Sequence, residues 1–176
     1  MPWKTKSSKS FYKNHWMEVT EDVVENDSGK ELTFGIVHKK PFALIIPWDG
    51  KYFTLVKQYR YSVGTFTLEF PAGHFEHDSI EETAKKELEE ETGLRAGKIE
   101  EIDTFFLAPG HHNQVCHVFL ATELTEGMQE LEEQEEGMKT IKVAFEELRI
   151  MIKNGEVKDG PTLAAFGILM NLNLLE

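Results

Sequence analysis

The chain has 176 residues, 40% of them apolar, which is enough for one globular core with an added N-terminal element. Its net charge of −12 argues against non-specific binding to nucleic acid or to an anionic membrane, though a bound cation could still bring in an anionic substrate. A single cysteine, Cys116, excludes an internal disulfide and fits a reducing, cytoplasmic setting. No secretory apolar segment opens the sequence, and the run from Pro41 to Trp48 is too short to span a bilayer.

In chain order, residues 1–10 read as a disordered tail. Residues 14–24 partly alternate and predict a strand. Asn26-Asp27-Ser28-Gly29 is a turn, and Glu31 to Lys39 is the returning strand, so residues 14–39 form a hairpin. Phe42 to Ile46 is a short buried strand. Asp49-Gly50 turns the chain into its mate, Lys51 to Tyr59. Thr65 to Phe70 is followed by a tight loop at Pro71, Ala72 and Gly73. Two further strands, 99–106 and 115–121, flank a loop at 108–114. Residues 123–138 read as a long acidic loop, 138–143 as a last core strand, and 144–153 and 161–174 as terminal helices.

Between the loop at Gly73 and Leu94 the sequence carries the most information. Ser79 and Glu82 form an S-x-x-E capping box, Gly93 stops the helix, and Ile80, Ala84 and Leu88 supply a stripe to bury. Glu87, Glu89, Glu90 and Glu91 crowd its last turns. Glu87, Glu90 and Glu91 are spaced to share one face, where they repel unless a hard cation ligates them. A solvated acidic face is the plain alternative.

This stretch resembles the Nudix box, G-x5-E-x7-R-E-U-x-E-E-x-G-U with U apolar. Lys86 takes the arginine position, Glu87, Glu90 and Glu91 match the metal-binding glutamates, and Gly93-Leu94 matches the close. The loop is one residue short, Asp78 stands for the first glutamate, and Lys86 lacks the bidentate fork of arginine. Further segments resemble the family's ADP-ribose pyrophosphatase and nucleoside diphosphate sugar branch. They are Val56-Lys-Gln-Tyr-Arg60, Glu69-Phe-Pro-Ala-Gly73, Ala108-Pro-Gly110, and Gly155-Glu-Val-Lys-Asp159 with Thr162-Leu-Ala-Ala165.

The resemblance implies an α/β fold, a Nudix α/β/α sandwich with a mixed sheet. It also implies an antiparallel β-hairpin dimerisation element over residues 11–40 and a hydrolase domain over 41–176. It implies Mg²⁺, with Mn²⁺ as a substitute, on Glu87, Glu90, Glu91 and the carbonyl of Ala72. Glu136 best matches the loop glutamate that acts as base, with Glu135 and Glu133 as alternatives. Arg60 is expected either to grip a phosphate or to be a surface arginine. Trp16 and Phe34, on the two hairpin strands, either sandwich a base across a homodimer or pack the hairpin, and Lys39 is a further candidate for that pocket. Gln114 stands where the branch usually has an acid, and His111-His112 reads as a polar loop that could touch the sugar. The implied reaction is hydrolysis of the pyrophosphate of a nucleoside diphosphate sugar, ADP-ribose first. Alternatives are hydrolysis of GDP-mannose or nucleoside triphosphates, or a non-catalytic ADP-ribose sensor.

Overall fold

The computed structural model describes residues 3–76 and 78–172. The chain divides into two compact units. One comprises residues 1–41 with 105–115, and the other comprises 42–104 with 116–176.

The N-terminal unit is a three-stranded antiparallel sheet of β1 (Lys4–Lys13), β2 (Glu18–Glu25) and β3 (Glu31–His38), in that order. The expected tail over residues 1–10 is therefore a strand from Lys4 onward, and the expected hairpin is a three-stranded sheet; Met1 and Pro2 lie outside the described residues. Every residue of β1 is exposed, so no apolar alternation marks it in the sequence. Polar complementarity fixes it instead. Lys6 pairs with Glu25 at 3.1 Å, Ser8 donates to Asp22 at 2.5 Å, and Lys13 pairs with Glu18 at 2.9 Å. Residues 105–115 add to this unit along the end of β3. Val37 N–H donates to the His111 carbonyl at 2.8 Å, and Asn113 N–H donates to the Val37 carbonyl at 3.3 Å.

Among the described residues the larger unit has two sheets and three α-helices. The four-stranded sheet runs β7 (Ala72–His74), β4 (Phe42–Pro47), β9 (Val115–Glu126), β8 (Leu94–Phe106). It is mixed, because β4 is parallel to β9 and antiparallel to β7. All six residues of β4 are buried, as suits a central apolar strand covered on both faces. The second sheet is antiparallel, in the order β10 (Lys139–Ala144), β5 (Tyr52–Arg60), β6 (Thr65–Glu69). Helices α2 (Phe145–Lys153) and α3 (Gly160–Leu172) meet an aromatic cluster in which Phe53 contacts Phe70, Phe145 and Phe166. The last two residues of the expected final helix lie outside the described residues.

Helix α1 (Ile80–Thr92) forms where its signals place it. Ser79 accepts the Glu82 N–H at 3.1 Å, and Gly93, at φ 70°, closes the helix with its N–H on the Glu89 carbonyl at 2.7 Å. The capping box is one-sided: the Glu82 carboxylate pairs with Lys85. Ala84 and Leu88 are buried against Ala43, Ile45, Phe119 and Ala121, with Ile80 and Leu94 beside them. Two expected loops are partly regular. Pro71–Gly73 leads into the short strand β7, and the acidic segment begins as the last turn-ward residues of β9, which runs on to Glu126.

Candidate metal centre

The apolar stripe of α1 continues from Leu88 by three residues into Glu91, so the packing that buries the stripe also buries a carboxylate. Glu91 is 2% exposed. Its Oε2 accepts the Ala72 N–H at 3.0 Å, which ties it to β7. Glu87, one turn earlier, lies against Gly73. A Cβ at position 73 would stand 1.8 Å from the Glu87 Cδ, so only glycine leaves room for this carboxylate.

The third acid comes from the acidic segment, whose start is hung on the end of α1. Gly127 N–H donates to the Gly93 carbonyl at 2.7 Å, Glu130 N–H to the Glu90 carbonyl at 3.0 Å, and Gln129 Nε2 to the Glu91 carbonyl at 2.7 Å. Carbonyls that a helix end leaves without partners are thereby satisfied. Beyond this tether, Glu133–Glu135 form a single 3₁₀ turn with a reciprocal cap: the Glu132 side chain accepts the Glu135 N–H, and Glu135 Oε2 accepts the Glu132 N–H at 3.0 Å. The turn places Glu135 beside the helix. Ligand oxygens of Glu87, Glu91 and Glu135 all lie within 4.8 Å of one another.

Of the expected ligands, Glu87 and Glu91 converge and Ala72 touches Glu91, while Glu90 is outside the trio and pairs with Lys86 at 3.3 Å. Of the three loop acids, Glu135 joins the cluster; Glu133 and Glu136 are exposed. Burial, then the neighbouring Glu90, Glu135, Glu132 and Glu76, push the Glu87 carboxyl up to about 8. Burial raises Glu91 well above the usual carboxylate range, with Glu87 and Glu135 adding to it and the Ala72 N–H and Arg60 opposing it. Buried acids that repel one another and accept few hydrogen bonds are a poor stability device and a good cation site. The donors are hard oxygens, which suit a small divalent ion.

Arg60, at the end of β5, is neither a free surface arginine nor a wholly open fork. It makes a bidentate pair with Glu69, Nε to Oε1 at 3.0 Å and Nη2 to Oε2 at 2.6 Å. Glu69 also accepts from Gln58 Nε2 at 3.3 Å and from the Thr67 hydroxyl. The V-x-Q-Y-R and E-F-P-A-G segments are thus two sides of one network, a link that sequence reasoning missed because it rests on the antiparallel β5–β6 register. The Asp159–Thr162 segment joins them. Asp159 accepts the Thr162 N–H at 2.8 Å at the start of α3, and the Thr162 hydroxyl accepts the Phe70 N–H at 2.9 Å.

In the N-terminal unit, Trp16 sits in the turn before β2 rather than on a strand, its N–H on Asn14 Oδ1 at 2.9 Å, and is 53% exposed. Phe34, on β3, is 40% exposed with Trp3 edge-on at 6.0 Å. Neither ring serves as hairpin core. The Lys39 N–H donates to Asn113 Oδ1 at 3.1 Å, and Gln114 is buried with its Nε2 on the Lys40 carbonyl at 3.0 Å. Gln114 therefore fastens the loop. His111 is exposed and His112 half-buried in that same loop. Cys116 is buried, and burial pushes its thiol up to about 12, so it is inert.

A strand–turn–helix thus gathers carboxylates around a position that could hold a divalent cation. The NUDIX domain profile matches residues 38–166, and a nucleoside diphosphate sugar hydrolase N-terminal domain profile matches residues 3–37. The chain belongs to the Nudix hydrolase family, in its nucleoside diphosphate sugar and ADP-ribose branch. It is 33% identical over 170 residues to an ADP-ribose pyrophosphatase of Bacillus subtilis, covering 94% of this chain and 91% of that one. It is 26% identical over 145 residues to a GDP-mannose pyrophosphatase of Escherichia coli, covering 76% and 75% of the two chains. A solved ADP compounds hydrolase shares the fold, with a TM-score of 0.87 at 15% identity over 98% of this chain and 94% of that one.

Proposed function

We propose that this chain hydrolyses the pyrophosphate bond of a nucleoside diphosphate sugar in a Mg²⁺-dependent reaction, with ADP-ribose as the leading substrate and AMP and ribose 5-phosphate as products. The observation that carries the reading is the convergence of Glu87, Glu91 and Glu135, with Glu91 buried, on one position beside the Ala72–Gly73 backbone. The relative in Bacillus subtilis favours ADP-ribose over GDP-mannose by its higher identity and fuller coverage.

Glu87 and Glu91 hold the ion from the helix side, Glu135 from the loop side, and the Ala72 carbonyl completes the set; Glu90 stands by for a further ion. When bound, divalent cations neutralise the phosphate oxygens and acidify the attacking water. The general base falls to Glu136, with Glu133 as the alternative, both exposed, because Glu135 already lies in the acidic cluster. Arg60 binds a phosphate, and Trp16, Phe34 and Lys39 bind the nucleoside. Exposed aromatics in the N-terminal unit, Phe11, Tyr12, Trp16 and Phe34, support a homodimer formed through it. The lone buried thiol supports a cytoplasmic setting. Among the described residues no helix is long and apolar enough to cross a membrane.

The test is a panel of ADP-ribose, other ADP-sugars, GDP-mannose, UDP-glucose, NAD and nucleoside triphosphates with Mg²⁺, the products identified by mass. Release of AMP and ribose 5-phosphate is expected. A panel in which only triphosphates are cleaved, or nothing is, would overturn the reading.

A further inference from the structure

Glu69 is 4% exposed at the end of β6 and yet carries no part of the metal cluster. Sheet register brings its partners to it. Val56 lies opposite Glu69, Gln58 opposite Thr67, and Arg60 opposite Thr65, so alternate residues of both strands share one face. On that face Glu69 accepts from Arg60 twice, from Gln58 and from Thr67. The carboxylate is held by four hydrogen bonds. Its partner differs: the Arg60 side chain is 45% exposed against 6% for Glu69. An anchor in the interior thus holds a guanidinium that emerges from it.

The geometry of the grip decides what remains. A guanidinium carries five N–H groups. Glu69 takes the Nε–Nη2 edge, leaving the second N–H of Nη2 and both of Nη1. The Nη1–Nη2 edge is itself a planar fork of the kind that binds phosphate bidentately. Arg60 also lies in the field of Glu91 and Asp159, both of which attract it. Without Glu69, the guanidinium would be drawn toward these acids, and one of them belongs to the metal cluster.

We propose that Glu69 is a positioning residue that fixes Arg60 by one guanidinium edge, so that its other edge, Nη1–Nη2, grips a phosphate of the substrate. This rests on the reading of Arg60 as a phosphate ligand. Positioning acts equally on bound substrate and transition state, so its loss raises KM and spares kcat.

The test is steady-state kinetics on the full chain with Mg²⁺ and the diphosphate sugar that turns over best, for Arg60→Gln, Glu69→Gln and the double variant, with thermal melts of each. Arg60→Gln is expected to raise KM on the order of tenfold. Glu69→Gln should raise KM comparably, with kcat within about twofold, and the double variant should be no worse than Arg60→Gln alone. A merely structural role predicts otherwise: the two effects would multiply, or Glu69→Gln would leave KM unchanged, and either result overturns the proposal. If Arg60→Gln itself leaves KM unchanged, the phosphate-ligand reading fails and the proposal with it; a normal Arg60→Gln effect with multiplying losses removes the proposal alone. Should Glu69→Gln not fold, Thr67→Val removes one hydrogen bond to Glu69 and supplies the same comparison. It should raise KM by a smaller factor in the wild-type background and not at all with Arg60→Gln.

Discussion

Two buried carboxylates in the same unit, Glu69 and Glu91, meet opposite fates. Glu69 is closed off by a guanidinium, an amide and a hydroxyl, so its charge is spent inside the protein. Glu91 has one backbone N–H and faces two more acids. Neither residue type nor degree of burial separates them, since they are 4% and 2% exposed. What separates them is the remainder of their hydrogen-bonding capacity. A buried acid whose partners are complete holds structure together, and one whose partners are missing implies a ligand.

The contrast can be tested from its strongest consequence downward. Glu91→Gln keeps an oxygen for the Ala72 N–H but removes a ligand charge. We expect kcat to fall roughly 10²-fold or more, while the melting temperature of the metal-free protein stays or rises because a buried like charge is gone. Gly73→Ala should also fold, since the clash is with the flexible end of Glu87, but the displaced carboxylate should weaken Mg²⁺ binding about tenfold or more by calorimetry.

A subtler effect concerns pH. The Glu87 carboxyl is raised from its ordinary 4.5 to about 8, so between these values the folded chain keeps a proton that the unfolded chain has released. Stability is therefore full below 4.5 and is lost as pH rises toward about 8. Melting temperatures in a chelator should fall across that interval, and saturating Mg²⁺ should flatten the slope by taking the proton's place. The smallest effect belongs to Lys86, exposed and paired to Glu90 one turn on. Lys86→Ala should cost about 0.5 kcal/mol or less in denaturant titrations and leave turnover nearly intact.

The sequence makes the α1 region legible because its signals are local. The cap at Ser79, the stop at Gly93 and the stripe from Ile80 to Leu88 act within one helix, and the step from Leu88 to Glu91 follows from the helical period. The unread parts depend on distant partners. β1 shows no alternation and exists through ionic and hydroxyl pairs with β2. Glu135 is distinguished from Glu133 and Glu136 by one 3₁₀ turn and by a tether to α1, neither visible in a run of glutamates. Arg60 and Glu69 both stand in segments legible as motifs, but their pairing needs the β5–β6 register.

The hydrogen bonds from Gly127 and Glu130 to the end of α1 make the acidic arm a pawl hinged on the wheel it engages. Beyond those bonds only Leu131 to Gly137 separate the hinge from Met138, so the reach of Glu135 is set by a short leash rather than by the whole connection between β9 and β10. Extra residues inserted ahead of Gly127 would bulge harmlessly outward. The same residues inserted after Glu130 would slacken the pawl and let its tooth slip away from Glu87 and Glu91.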